Sequence, residues 1–511
     1  MEVEVLERSL TEVATPLLVV NLFEGVQEPG GATGAVDQAL GGLVRRLIAA
    51  GEIAGRLGEV TVVHVPPGTA GLAAERVAVV GLGSRERFDA EAVRVAAAVA
   101  ARKAQELRLP AFATVLHGAG AGGLDPSESA RAIVEASILA TNREFSRYWT
   151  DPGRRSTPVE RLLLVERDAT RAAVVRAAAR LGRIAASGAL TARDLSWGPP
   201  NVFTPAYLAA RAEEVAARYG LEARVYGLDE IGRMRMGGIL AVNAGSAHPP
   251  RLVLLRHRGR PGARKLGVVG KGITFDTGGI SLKPEEGLHY MRHDKSGAAA
   301  VVGFLQAAAE ADLPVEVVGV FAATENMPDG AAFRPGDVLT MYNGKTVEVI
   351  STDAEGRLIL ADALAFTREQ GVDALVDLAT LTGAVVRALG NHAIGLMGND
   401  EALIDLVRRA GDLAGERAWP LPLWDVYEHQ IESRVADIRN TGAGAARAGA
   451  ITAARFLRHF VGDTPWVHLD IAGTAYTDDQ QKYVPPYHPT VGATGVGVRL
   501  LMRFCELWTA S

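Results

Sequence analysis

Residues 265–283 read KLGVVGKGITFDTGGISLK. The apolar run 265–270 ends in glycine, which marks a buried strand of an α/β sheet, with Lys271 leaving its end and Asp276 in the loop just beyond. Two further segments repeat this arrangement of an element edge followed by charge. MRHDKSGAAA (291–300) sets Asp294 just before the helix-forming run SGAAAVVGFLQAAA. STDAEGRL (351–358) sets Asp353 and Glu355 in a turn between the strand TVEVI and the helix LILADALAFTR. In an open α/β sheet the loops at the carboxyl ends of strands are where ligands bind. Three loops can therefore aim Asp276, Asp294, Asp353 and Glu355 at one spot, beside Lys271, Lys283 and Arg357.

Four acids do not share an apolar, Gly-rich site unless positive charge sits among them, because desolvation and mutual repulsion would force protons onto them. Two divalent cations would balance four carboxylates. Oxygen ligands alone suit Mg²⁺ or Mn²⁺, and an added amine nitrogen moves the preference toward Zn²⁺. The lysines sharpen this reading. Of 54 basic residues only seven are lysines, leaving 47 arginines, and three of the seven fall between residues 271 and 295. An amine there is a compact group that can lose its proton, which arginine cannot do.

The rest of the chain fits an α/β architecture. At 511 residues it exceeds the size at which a single core keeps growing, so two domains are expected. The first part alternates apolar runs (LLVVNLF, EVTVVHV, RVAVVGLG, AFATVLHG) with amphipathic stretches, AVDQALGGLVRRLIAAGEI and AEAVRVAAAVAARKAQEL. VAVVGLGS (77–84) is a tight strand-to-helix turn rather than a dinucleotide fingerprint, since no third glycine and spaced acid follow. The expected plan is a smaller α/β domain over 1–165, a linking helix over 166–194, and a catalytic α/β domain over 195–511 with a mixed, largely parallel sheet flanked by helices. Later strand candidates are LVLLRH, KLGVVG, VEVVGVFAA, TVEVI, DALVDLA and WVHLDIA, and NTGAGAARAGAIT (440–452) reads as a loop before a helix.

Composition narrows the partners. Hydrophobic content of 48%, charged content of 22% and a net charge of -5 are those of a globular protein without the basic surface that nucleic acid or anionic lipid would want. Between Met1 and Arg161 there are 17 basic and 20 acidic residues, so no basic arm is hidden there. The one cysteine, Cys505, rules out an intrachain disulfide and a Cys-based metal site. The acidic start lacks the features of a secretory signal, and PLLVVNLF is too short to span a bilayer. A cytoplasmic protein is expected, with neither membrane nor nucleic acid as its partner.

The segments VGKGITFDTGGISLK, MRHDKSGAAA, ENMPDGAAFRPGDV, YNGKTVEVISTDAEGRLILADAL, DLATLTGA, AGAITAARFL and HLDIAGTA closely resemble the leucyl aminopeptidase (cytosol aminopeptidase) family. The resemblance runs in order over about 195–500 and is weaker before 165. It departs at Ser351, where Asn is usual, and at Lys295, where Met is frequent. The resemblance implies that Lys271, Asp276, Asp294 and Glu355 hold one metal and that Asp276, Asp353 and Glu355 hold the other, either Zn²⁺ or Mn²⁺. Lys271 then coordinates as the neutral amine. Lys283 stays cationic and stabilises the oxyanion, and Arg357 holds a bicarbonate that takes a proton from the bridging water. The implied activity is removal of N-terminal residues from peptides with a free amino terminus. Met291, Thr380, Gly383 and Ala475 line a leucine-like pocket, while Leu381 and Thr380 contact the substrate backbone. The implied assembly is a homohexamer. The competing readings are a DNA-binding accessory role and an inactive structural homologue.

Overall fold

A computed structural model describes residues 1–120, 122–142, 145–442 and 447–510. The chain divides into two compact units, Met1–Ser187 with Asp478–Thr490, and Gly188–Thr477 with Val491–Ser511. The division falls inside one 29-residue helix, Ala169–Trp197, which carries the long Ala-rich run read from sequence.

The first unit is built on β1 (Glu2–Leu6), β2 (Leu18–Leu22), β3 (Val60–His64), β4 (Arg76–Gly81), β5 (Ala111–Val115) and β6 (Arg161–Val165). The sheet order is β1-β6-β5-β2-β4-β3, parallel throughout except that β3 runs antiparallel to β4. Helices α1 (Gly31–Ala39) and α2 (Leu43–Ala49) lie between β2 and β3 in the chain, α3 (Ala90–Glu106) between β4 and β5, and α4 (Pro126–Thr141) between β5 and β6. The stretch read as one amphipathic segment at 35–53 is broken in two at Gly41 and Gly42, whose φ angles of 62° and 80° no helix continues through. Val20, Val79, Ala113 and Leu163 help close this unit's core.

The second unit's main sheet contains β7 (Glu222–Tyr226), β8 (Arg251–His257), β9 (Lys265–Asp276) and β10 (Glu316–Asn326). β11 (Val338–Thr340) and β12 (Thr346–Glu348) stand outside it, as does the later β16 (Ile438–Arg439), while β13 (Ala374–Ala379), β14 (Ile394–Gly398), β15 (Ala418–Pro420) and β17 (Trp466–Asp470) complete it. The order is β15-β14-β17-β13-β9-β10-β8-β7, with β10, β9, β13 and β17 mutually parallel at the centre. This is the mixed, largely parallel sheet expected from sequence. One strand differs. TVEVI forms only the three-residue β12, paired with β11 and β16 in a separate small sheet. The loop read over 440–452 lies partly outside the described residues, at 443–446; helix Gly449–Arg458 follows it.

The helix Ser296–Ala311 lies directly on the central strands, and glycine makes that approach possible. A Cβ on Gly297 would stand 2.1 Å from the Leu378 carbonyl and 2.6 Å from the Lys271 amide. Among the described residues no helix is long and apolar enough to cross a membrane.

Candidate metal centre and active site

Lys271 lies inside β9 and Asp276 is its last residue, so the expectation that the strand ends before Lys271 is corrected. Five positions apart, the two side chains of a regular strand would face opposite sides of the sheet. Here the register against β10 slips: Ile273 pairs with Thr324 and Phe275 with Glu325, leaving Thr274 as an extra residue. This bulge restores Asp276 to the side of Lys271. Asp294 arrives from the short 3-10 helix Leu288–Lys295, which runs straight into helix Ser296–Ala311. Asp353 and Glu355 come from the turn before helix Gly356–Arg368.

These elements bring the expected charges together. Lys271 Nζ lies 2.7 Å from Asp294 Oδ2 and 2.9 Å from Glu355 Oε1, and it donates to the Thr380 carbonyl at 2.9 Å. Lys283 Nζ lies 2.9 Å from Asp276 Oδ2 and also pairs with Asp353 Oδ1. One ligand oxygen each from Asp276, Asp353 and Glu355 falls within 4.8 Å of the others. Lys271, Asp276, Asp294 and Glu355 are all buried, whereas Asp353 is exposed at the rim. Arg357 is also buried; one guanidinium nitrogen donates to the Asn440 carbonyl at 2.7 Å, and its Nε has no partner.

The electrostatics match a cation site. Burial raises the carboxyl pKa of Asp276, Asp294 and Asp353, with neighbouring acids adding to the effect against the lysines. Negative charge therefore exceeds what the two ammonium groups offset, and a proton or a further cation is favoured. Asp294 Oδ2 makes the point locally: it is buried and has no directed hydrogen bond, only the ionic approach of Lys271. Burial alone would lower the Lys271 pKa, yet Asp294, Glu355 and Asp276 outweigh it and raise the value. Among these carboxylates alone the amine keeps its proton; the neutral ligand state expected above belongs to the metal-bound site. Only a competing cation among the same oxygens would reverse that. Lys283 is likewise held protonated: burial opposes the charge, but Asp276, Glu355 and Asp353 prevail. Burial draws Arg357 down to about 10, still a cation at neutral pH.

Several supporting residues carry no signal in the charged motifs. Asn326, at the end of β10, donates to Asp276 Oδ1 at 2.8 Å and to the Thr352 carbonyl at 3.0 Å, fixing one carboxylate against the turn that bears two others. Its place as a polar residue at a strand's carboxyl end was the available clue. Asn440 braces that turn by accepting from Ile350 N at 2.7 Å and donating to the Ser351 carbonyl at 2.7 Å. Ser351 accepts from Asp353 N through its hydroxyl at 3.2 Å, so a serine suffices at this departure from the family pattern. Lys295 is wholly buried and donates to the carbonyls of Gly198, at 3.1 Å, and Arg292.

The substrate-binding candidates divide. Met291 and Leu381 are partly exposed and Gly383 is open to solvent at the start of helix Gly383–Leu389. Thr380 is buried, and its hydroxyl donates to Asp294 Oδ1 at 2.7 Å while its carbonyl receives Lys271, so it braces the charged cluster directly. Ala475 is only 1% exposed and offers little surface. Asp470, at the end of β17, braces the 380–383 loop by accepting from Leu381 N at 3.2 Å and Thr382 Oγ1 at 2.6 Å.

Comparison with known proteins agrees with this geometry along the whole chain. Residues 190–502 match the catalytic domain of the cytosol aminopeptidase family and residues 19–152 its N-terminal domain. A probable cytosol aminopeptidase of Geobacter sp. is 45% identical over 99% of both chains, and one of Roseiflexus castenholzii is 45% identical over 100% of both. Among solved structures, a tomato leucine aminopeptidase mutant superposes with a TM-score of 0.86 at 30% identity, covering 99% of this chain and 96% of that one. The bottromycin maturation enzyme BotP in complex with Mn gives 0.83 at 34% identity, covering 97% and 100%. Two domain matches that follow one another along the chain, and relatives aligned from end to end, leave one assignment: the chain belongs to the cytosol aminopeptidase family and is a metal-dependent aminopeptidase.

Proposed function

We propose that this aminopeptidase releases leucine-like residues from peptides with a free amino terminus, using two divalent metal ions held by Lys271, Asp276, Asp294, Asp353 and Glu355. The observation that carries the reading is the approach of Asp276, Asp353 and Glu355 oxygens within 4.8 Å of one another, flanked by two lysines. When bound, the ions would supply Lewis acidity and a water acidic enough to attack at neutral pH, and a bicarbonate on Arg357 would supply a proton acceptor. The unpartnered Arg357 Nε fits such a planar anion, since a guanidinium binds it through paired N–H groups.

The chain's own groups then divide the work. Lys283, about a fifth exposed and protonated, stands where a substrate carbonyl entering over Asp276 and Asp353 would develop negative charge, and it stabilises that charge. Lys271, with its carboxylate partners and the Thr380 carbonyl, fixes the inner end of the site. Met291, Leu381, Gly383, Thr380 and Ala475 are the proposed side-chain and backbone contacts. BotP's manganese complex supports Mn²⁺ as one option, with Zn²⁺ the other. A homohexamer in the cytoplasm completes the reading, on the family resemblance. The DNA-binding and inactive-homologue readings draw no support from the comparisons.

The test compares leucine p-nitroanilide with its N-acetyl derivative, before and after chelation. Hydrolysis of the free amine alone, lost with chelator and restored by Mn²⁺ or Zn²⁺, is expected. Cleavage of the acetylated substrate at a similar rate would refute an aminopeptidase that needs the amine.

A further inference from the structure

The first unit holds none of the residues assigned above, yet it contains a cavity of about 740 Å³. That volume falls within the roughly 300 to 1,000 Å³ typical of small-molecule sites. Its position follows from topology. After β2 the chain builds β3 and β4 on one side, and after β4 it crosses to build β5 on the other, so β2 and β5 are neighbours at the point where the winding reverses. Ligands in such sheets sit beyond the carboxyl ends of the strands at that switch point. The cavity is lined by the residues that end β2, β5 and β6, including Phe23, Leu116 and Val165.

We infer that this cavity binds a phosphorylated small molecule of nucleoside monophosphate size, its phosphate at the mouth and its organic part inside. Four arginines line it, Arg8, Arg85, Arg167 and Arg171, against two acids, Glu28 and Glu166. Both acids are already engaged. Glu166 accepts from Asp168 N at 2.8 Å and from Arg171 at 3.0 Å, and Glu28 lies 3.2 Å from Arg45. Arg8, Arg85 and Arg167 form no ion pair with either lining acid, so the lining carries a net positive charge, and Arg85 lies over the Phe23 ring at 5.1 Å.

The same mouth is bordered by the start of α1, whose N-cap Gly30 has no side chain to satisfy the first free amides. A Cβ on Gly30 or on Gly31 would meet nothing within 4 Å, so the backbone there is open to a ligand. Amides of a helix start together with arginines favour a multiply charged anion such as a phosphate. The inner wall is built as well as shaped. Asn21 lies 3.0 Å from His117 Nδ1 through its amide nitrogen, and His117 is wholly buried with Nε2 unpartnered. Asn21 is therefore held with a fixed carbonyl and one remaining N–H to offer the organic part.

The experiment titrates the full-length protein calorimetrically with AMP, adenosine and inorganic phosphate. Saturable AMP binding, competed by phosphate and at least tenfold tighter than adenosine, is expected. Arg85→Glu/Arg167→Glu changes only exposed side chains and should weaken AMP at least tenfold. Gly30→Asp places a carboxylate where the phosphate would sit while capping the helix, so it should abolish AMP binding without lowering Tm. Hydrolysis of leucine p-nitroanilide reports that each variant is folded. The inference is overturned if neither AMP nor phosphate saturates, if both variants bind AMP as the parent does, or if phosphate alone binds as tightly as AMP.

Discussion

Replacing Gly356 by alanine separates catalysis from folding. A Cβ at this position would stand 2.5 Å from Lys271 Cε, 2.7 Å from Nζ and 2.8 Å from Cδ, where ordinary contact begins at 3.4 Å. The amine must therefore retreat by about 1 Å, a displacement that can cost on the order of 100-fold in rate when it falls on a catalytic constellation. It cannot retreat freely, because Asp294, Glu355 and the Thr380 carbonyl hold it at 2.7, 2.9 and 2.9 Å. Gly356 is also the first residue of a helix, where alanine is favoured over glycine by up to about 1 kcal/mol, offsetting part of the strain. The expected result is kcat/KM for leucine p-nitroanilide down about 100-fold and metal content reduced, with Tm nearly unchanged. Gly232→Ala, in a helix with nothing within 4 Å of the new carbon, is the matched control and should keep full activity. Parental kcat/KM and metal content in Gly356→Ala would refute the close packing of this turn on Lys271 as a requirement of the site.

Three further outcomes are expected. Lys283→Ala should fold normally and lose on the order of 100- to 1,000-fold in kcat, as removal of an oxyanion donor does; unchanged kcat would exclude that role. Asn326→Ala removes the amide that orients Asp276 and should weaken metal binding by roughly 10- to 100-fold, read by competition with a chelating dye, so unchanged affinity would contradict a supporting role. Asp362 is wholly buried, and burial raises its carboxyl to about 7 although the Tyr342 and Ile239 amides oppose the shift. The unfolded chain ionises first, so this group's contribution to stability is full below about pH 4 and is lost as pH rises toward 7, by an amount on the order of 4 kcal/mol at most. Asp362→Asn should flatten Tm against pH in that window, and an unaltered profile would show that Asp362 does not set it.

What the sequence makes legible depends on how local the determinant is. The apolar runs of β9, β10, β13 and β17 declare themselves because a buried parallel strand is apolar on both faces. STDAEGRL and the segment around Asp276 are readable as a charge problem for the same reason: their surroundings are apolar. The bulge at Thr274 is not readable, since it depends on how β10 pairs with β9. Without it the odd spacing from Lys271 to Asp276 makes sense only if Asp276 lies in a loop. Asn326 escapes notice, and Thr380 is read as a substrate contact rather than as a partner of Asp294, because neutral side chains become carboxylate supports only when another element brings the carboxylate to them. The split at Gly41 and Gly42 is marked in the sequence only by two glycines, while the apolar spacing continues on either side. The cavity in the first unit is built from strand ends far apart in the chain, and no motif encloses it.

Lys271, Asp276, Asp294, Asp353 and Glu355 are proposed to act as one two-metal site. The direct measurement is metal stoichiometry per chain by mass spectrometry after equilibration with Mn²⁺ or Zn²⁺, in the parent and in Asp276→Ala, the proposed bridging ligand. Two ions per parent chain, falling to one or none in the variant alongside lost activity, is the predicted result. Fewer than two ions in the fully active parent, or two retained in Asp276→Ala, would contradict it.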